Sequence, residues 1–510
     1  MASSAEDALK KLKEDPNNLI LGGSAYLRLW SKKKINCAID LTKAGLRYYD
    51  VVDDSIRLGA TCRYHDFESD PILSKLAYSI FPSAFANIVG IQLRTEVQLG
   101  ASVCGKFAFS DLLPVLLVLR ARLSWLERGE ETIDEFLARQ ADTDLLKEVV
   151  LPKISGTEAA FYDSIRYNSG DLPTLNIAGA LFSTDDSSIV NGEDKNVAEA
   201  SHYSLRLAIG AMPARAKRVT KLEEYLSKLP ISEWLKDETL AECVKLLAEL
   251  RFGTDTKATA EYRQAMATVL LKRCLKGLID IVECKNDIQA NGSSNFDAEI
   301  VKKVRENFIP SGNMHVDLEH DSMRGLKFNV QGADEADGVD RAANVGINGD
   351  EKFYFYLNGK LISDYKDQVE ADCSLFEYLR RKKTYSVKSG CGSSCCGLCT
   401  VLINGEARLS CTVPALRVHG LEVMTIEGER KEAEAFAALL AAEGADQCGF
   451  CSPGFILSVI SLKRRFKDLF RCSSADEVED KDIKKFLSGN LCRCTGYAGQ
   501  MRAIKNYLNS

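Results

Sequence analysis

The sequence predicts an α+β protein of several domains: mixed strand and helix units in its first half, a small β-rich unit after residue 350, and a helical unit at its end. Three observations carry this. The 510 residues exceed what one core supports, and at roughly 100–200 residues per domain they suggest about three or four domains. Two Asn-Gly pairs, Asn358-Gly359 in KFYFYLNGKLI and Asn404-Gly405 in CTVLINGEARLSC, each separate two strand-like runs, the strongest short signal for a two-residue hairpin. Beyond residue 425 the pattern turns helical, with candidates at 432–443, 453–466 and 482–487; Pro453 suits a first turn and Gly489 a helix stop.

Residues 17–281 carry ordinary strand and helix signals with few prolines. From about 287 to 350 the chain becomes rich in Gly, Asp and Asn and loses apolar periodicity, which reads as a connecting segment over the surface. A net charge of −6 gives no broad basic field for nucleic acid or an acidic membrane. No apolar run is long enough to span a bilayer, and MASSAEDALKKLKEDP lacks the apolar core of a signal peptide. A cytoplasmic location is therefore expected, where clustered cysteines bind metal more often than they form disulfides.

Eight of the 17 cysteines fall into two such clusters. Cys391, Cys396, Cys399 and Cys411 lie in GCGSSCCGLCTVLINGEARLSC. This is the C-x4-C-x2-C spacing with a distant fourth thiol that holds a plant-type 2Fe–2S cluster. Gly390, Gly392, Ser393, Ser394 and Gly397 let main-chain N–H groups turn toward the sulfurs. Cys395 is an extra thiol, read as a bystander. Cys448 and Cys451 in QCGFCSPG, with Cys492 and Cys494 in GNLCRCTGY, give C-x2-C and C-x-C pairs at two helix ends. C-x2-C pairs also bind zinc; C-x-C is unusual for zinc, and the neighbouring loop argues for iron.

These three motifs closely resemble the iron–sulfur subunit of the xanthine dehydrogenase family of molybdenum hydroxylases, over essentially all of 351–510. The resemblance implies a ferredoxin domain holding the first cluster and a helical domain holding the second beside a partner's molybdopterin, with Gln447 and Cys494 nearest the pterin, and makes zinc remote. Cys395 and the longer gap at 467–481 depart from the family's pattern.

The first half resembles the flavin subunit of the same family. LILGGSAYLRL is similar to its first flavin loop, which implies that Leu21, Gly22, Gly23, Ser24, Ala25 and Tyr26 cradle the FAD pyrophosphate. Alone, Gly-Gly-Ser is simply a tight turn after a strand. IQLRTEVQLGASVCGKFAFSDLLP resembles the second loop, implying roles for Arg94, Thr95, Leu99, Gly100, Ala101 and Ser102, with Asp111 in the place of the adenosine-binding aspartate. Thr95, Ala101 and Ser102 replace the family's Asn, Gly and Asn. FYDSIRYNSGDLPTLNIAGALF resembles the strand and loop around the isoalloxazine, with Arg166 and Asp171. Arg215, Arg263 and Arg273 read as braces of the following domain.

The resemblance thus implies a PCMH-type FAD-binding domain (1–190), an α+β cap domain (191–285), a linker (286–350), a β-grasp 2Fe–2S ferredoxin domain (351–425) and an α-helical, four-helix 2Fe–2S domain (426–510). The expected protein is an oxidoreductase subunit with FAD and two 2Fe–2S clusters. It would take electrons from a large molybdopterin-binding catalytic partner and pass them through both clusters to FAD and on to NAD or ferredoxin, in a hetero-oligomer. No side chain is expected to act as an acid or base. The alternative is an iron–sulfur carrier whose flavin-like domain has lost FAD and serves as a docking scaffold.

Overall fold

The computed structural model describes residues 2–23, 35–140, 143–152, 156–167, 170–183, 203–291, 327–329, 352–392, 394–470 and 478–510. The helix Ala5–Glu14 begins at Ser4, whose hydroxyl accepts the Asp7 N–H, and packs on a parallel pair, β1 (Leu19–Leu21) and β2 (Ala38–Asp40). β1 ends directly on Gly22 and Gly23. Next comes a sheet of β3 (Tyr48–Val52), β4 (Ser55–Gly59), β5 (Arg122–Trp125), β6 (Gly129–Thr132) and β7 (Leu146–Leu151), in the order β3-β4-β7-β5-β6. The helix Leu112–Val118, LLPVLLV, is buried on every side. Each such aliphatic side chain contributes about 1.5–3 kcal/mol by leaving water.

A second sheet holds β8 (Thr157–Ile165), β9 (Leu175–Ser183), β10 (Tyr203–Gly210) and β11 (Lys217–Arg218) as β11-β10-β9-β8. In β9 every residue but Ser183 is buried, because the helix Ala260–Asn291 covers one face and Leu112–Val118 the other. Its sequence is accordingly a near-continuous apolar run, interrupted by the buried Asn176, rather than an alternation. Arg263, 1% exposed, braces this region by donating to the carbonyls of Thr174, Gly253 and Ala258 and to Asp255.

Two features depart from the expected linker. The helix Ala260–Asn291 continues six residues past 285. Within the Gly/Asp-rich stretch, β12 (Lys327–Asn329) pairs antiparallel with β3 and extends the first sheet. The rest of that stretch, like residues 471–477 of the 467–481 departure, lies outside the described residues.

The third sheet contains β13 (Lys352–Leu357), β14 (Lys360–Tyr365), β15 (Thr400–Ile403), β16 (Glu406–Leu409) and β17 (Glu422–Met424), ordered β14-β13-β17-β15-β16. Both hairpins form where expected. Asn358 and Gly359 take φ of 52° and 77°, Asn404 and Gly405 48° and 83°, the paired left-handed residues of a type I′ turn. The helix Leu375–Arg381 is held by a reciprocal Ser374/Glu377 capping box.

Four helices complete the chain: Arg430–Ala442, Ser452–Phe470, Asp480–Leu487 and Ala498–Leu508. Three match the sequence candidates; the fourth was not among them, although Met501, Ile504 and Tyr507 give it an inward face. Buried apolar residues of the first and third sheets form one contiguous cluster, and a second joins Ile91 and Leu402 to the helical unit. The units are therefore docked. Among the described residues, no helix is long and apolar enough to cross a membrane.

Candidate cofactor sites

The loop from 390 to 399 is shaped by left-handed backbone at Gly392, Ser394 and Gly397, with φ of 65°, 65° and 71°. These turns aim main-chain donors at sulfur: the Cys391 N–H donates to Cys396 Sγ at 3.4 Å, and the Cys395 N–H to Cys391 Sγ at 3.3 Å. Cys395 thus contributes its main chain. A methyl at Gly390 would lie 2.9 Å from Cys396 Sγ, so the loop closes on the sulfur where only glycine fits. The thiols sort into pairs, Cys391 with Cys396 and Cys399 with Cys411, each hydrogen-bonded. Ser394 Oγ lies 3.6 Å from Cys411 Sγ.

The second set sorts the same way. Cys448 and Cys494 sulfurs are 3.4 Å apart, and Cys451 hydrogen-bonds Cys492. Cys448 and Cys451 precede the helix Ser452–Phe470, and Cys492 and Cys494 follow the helix Asp480–Leu487. Burial, with Cys492 and Cys448 nearby, pushes the Cys451 thiol up to about 12. Burial also acts on Cys492, but donation from Thr495 and the N–H groups of Thr495 and Cys494 outweighs it and holds that thiol below its ordinary value.

Among the described residues, no three His, Cys, Asp or Glu groups converge on one single-ion position. Two pairs of sulfurs are instead what two irons require, each taking two thiolates and two sulfides. Crowding four thiols is unfavourable until positive iron is among them, so both donor sets fit a 2Fe–2S cluster and fit a lone zinc poorly.

The two sets are joined. The Leu491 N–H donates to the Cys396 carbonyl at 2.9 Å, placing a ligand of the first set one hydrogen bond from the residue before Cys492. A narrow crevice lies between them, lined by Cys396, Cys451, Cys492, Asn490, Phe455 and Gln500, among others. Glycine backbones make the approach possible. A Cβ on Gly397 would fall 2.3 Å from the Gly489 carbonyl oxygen, and one on Gly90 2.8 Å from Gly489 Cα. Three units therefore meet at Gly489. On the far side Gln447, Cys448 and Cys494 are exposed.

The flavin unit docks through buried polar groups. Arg408, on β16, donates to Glu96 and to the Thr95 carbonyl at 2.9 Å; Arg417 reaches Glu96 at 3.3 Å and Asp40 at 3.2 Å. Gln92 Nε2 donates to Ser458 Oγ at 3.0 Å, and that hydroxyl lies 2.8 Å from Asn490 Oδ1. Ser461, one turn on, accepts the Ala407 N–H at 3.2 Å. The helix Ser452–Phe470 thus carries hydroxyls to both neighbours.

The two flavin loops lie against each other. A Cβ on Gly22 would be 2.1 Å from Ala101 Cβ, and one on Gly23, whose φ is +79°, 1.8 Å from the Glu96 carbonyl oxygen. Among the described residues the N–H groups of Gly22, Gly23 and Ala101 donate to no partner, whereas Leu99 and Gly100 donate to the Cys62 and Ala60 carbonyls. Three uncommitted donors on two adjoining loops fit a pyrophosphate. Leu21 is buried above them; Ser24, Ala25 and Tyr26 lie outside the described residues. Ser102 donates its hydroxyl to the Gln98 carbonyl, and Thr95 to that of Gln92.

Other expected site residues are engaged in bracing. Arg94, 2% exposed, binds Glu68 at 2.8 Å and the carbonyls of Ile88 and Val89. Asp111 and Arg166 are brought together as a buried ion pair with the Tyr162 hydroxyl, and Arg166 also donates to the Asp171 carbonyl at 2.5 Å. Burial raises the Asp111 carboxyl, against the pull of Arg166. Sequence reasoning passed over Gln92, Glu96, Ser458, Asn490 and Gln500. A signal existed for Ser458 and Ser461, polar positions inside the apolar run FILSVISL.

An FAD-binding unit, its C-terminal companion and two cysteine-quartet units in one chain define a flavin and iron–sulfur oxidoreductase. The FAD binding domain in molybdopterin dehydrogenase matches residues 1–155, the CO dehydrogenase flavoprotein C-terminal domain 160–278, and the [2Fe-2S] binding domain 425–505. A probable xanthine dehydrogenase subunit of Bacillus subtilis (strain 168) is 38% identical over 164 residues, 31% of this chain and 88% of that protein. The chain belongs to the xanthine dehydrogenase family. The FAD-binding domain is present and not lost, against the alternative in which a flavin-like domain has given up FAD and serves as a docking scaffold. Xanthine dehydrogenase of Drosophila pseudoobscura pseudoobscura is 34% identical over 167 residues, 30% of this chain but 12% of that protein, so the chain spans a small part of such relatives. A solved quinoline 2-oxidoreductase from Pseudomonas putida 86 aligns with 55% of this chain and 95% of its own at a TM-score of 0.47 and 18% identity.

Proposed function

We propose that this chain is the electron-transfer subunit of a molybdenum hydroxylase complex, with domain limits near 190, 285, 350 and 425. When bound, the clusters supply one-electron relay and FAD collects electrons in pairs. In this reading the order runs from a large molybdopterin-bearing partner to the Cys448/Cys451/Cys492/Cys494 cluster, then to the Cys391/Cys396/Cys399/Cys411 cluster, then to FAD and an acceptor such as NAD, within a hetero-oligomer. The protein's own work is placement. The single observation that carries the order is the Leu491 N–H bond to the Cys396 carbonyl. In this reading the half-buried Cys451–Cys492 edge faces the first cluster, and the exposed Cys448–Cys494 edge, with Gln447, faces outward for a partner. Gly22, Gly23 and Ala101 are the main-chain donors to the FAD pyrophosphate, and the Asp111–Arg166 pair shapes the adjoining flavin wall.

Rapid mixing tests this. The holoprotein, reduced anaerobically, is mixed with NAD and followed at the flavin, cluster and nicotinamide bands. Reoxidation of all three centres with formation of reduced nicotinamide supports the reading. Reoxidation by ferredoxin and not by NAD overturns the acceptor, and clusters that reoxidise while the flavin stays reduced overturn the order.

A further inference from the structure

Gln500 sits in the first turn of the helix Ala498–Leu508 and is 4% exposed. Its Oε1 is buried and finds no donor among the described residues. A buried amide without a partner is unfavourable, so its retention calls for a group that satisfies it. The residue lines the narrow crevice between the cysteine sets, together with Cys396 of the first and Cys451 and Cys492 of the second. That space offers no route to satisfaction by the protein alone. Asn490 is engaged with Ser458 and Leu487, and the Leu491 N–H with Cys396. Thiolate and sulfide sulfurs are acceptors only. The two ends of a side-chain amide are nearly isosteric, so a loaded cluster selects the orientation that turns the N–H2 end toward sulfur.

We propose that Gln500 donates a side-chain hydrogen bond to sulfur at the Cys451–Cys492 edge of the second cluster and raises its reduction potential. Two of the three cysteines that line this crevice with Gln500 belong to that set, and they are hydrogen-bonded to each other as one iron's pair would be. Donation to sulfur stabilises the extra negative charge of the reduced state. The effect lies on the side that faces the first cluster, where it sets the driving force between the two. The inference rests on the reading of both quartets as cluster ligands.

The test is a potentiometric titration of the anaerobic holoprotein, each cluster read by its own EPR signal, for the natural protein, Gln500→Leu and Gln500→Met. Iron content is measured alongside. Both variants are expected to keep iron at the natural level and to disfavour reduction of the second cluster about tenfold, a fall of about 59 mV for one electron, with the first cluster unmoved. Gln500→Met keeps an unbranched side chain of similar length and removes the donor without adding charge, so it decides if Gln500→Leu loses iron. Full iron with an unmoved second potential in Gln500→Met overturns the proposal, as does a shift confined to the first cluster. A natural protein without iron overturns the underlying ligand reading instead.

Discussion

Replacing Arg408 with methionine removes the guanidinium at the junction of the flavin and ferredoxin units but keeps an apolar stem. Its side chain is 7% exposed, and that of Glu96, its partner across the interface, 6%. Removing one member of a buried pair typically costs about 3–5 kcal/mol, because the remaining charge stays out of water. Here Arg417 still holds Glu96 at 3.3 Å, which places the expected cost near the lower end, about 3 kcal/mol. The Thr95 carbonyl also loses its donor. The penalty belongs to docking rather than to the fold of either unit, so native-state hydrogen exchange is the suitable assay. Amides of 95–98 and 406–409 should lose protection together. In a double-mutant cycle with Glu96→Gln the coupling should reach about 2 kcal/mol, within the span for contacting pairs. Protection unchanged in both segments, or coupling below about 0.5 kcal/mol, would refute the argument that this network locks the flavin loop onto the ferredoxin unit.

Three other outcomes are expected. Gly397→Ala forces a left-handed alanine, at about 1–2 kcal/mol, and drives a methyl to 2.3 Å from the Gly489 carbonyl oxygen; transfer between the clusters should slow in flash or rapid-mix experiments while iron content holds. The His419 ring accepts the Tyr354 N–H at Nδ1, and burial followed by Lys366 and Lys43 lowers its pKa below 6.5. Because the unfolded chain then protonates first, stability contributed by neutral His419 is complete above pH 6.5 and lost as pH falls below it toward the folded value; the melting temperature of His419→Gln should therefore show a weaker fall over that interval than the natural protein. Cys411→Ser should abolish only the plant-type EPR signal, and Cys451→Ser only the other, each halving the iron; loss of both signals from either change, in a protein that still folds, would contradict two independent quartets.

The hairpins, the helices flanking the second quartet and the ligand spacing were legible because each rests on neighbours in sequence. An Asn-Gly turn dictates its own backbone, and C-x4-C-x2-C leaves little choice of loop. The contacts that dock the units were not legible. Glu96 and Arg408 stand 312 residues apart, and nothing local to either marks the other as its partner. Nor does anything local to Arg94, expected in the second flavin loop, mark Glu68 as its partner. Strand Lys327–Asn329 was hidden inside a Gly/Asp-rich stretch whose composition argues against strand, and only the open edge at β3 recruits it. Ala77, Tyr78 and Ser79, three consecutive left-handed residues in a helical-looking run, have no counterpart in any propensity.

The most direct measurement is cofactor content joined to EPR of the reduced, anaerobically purified protein. The account predicts about four irons and about one FAD per chain, with two distinct 2Fe–2S signals. About two irons with a single signal, or four irons without flavin, would contradict it.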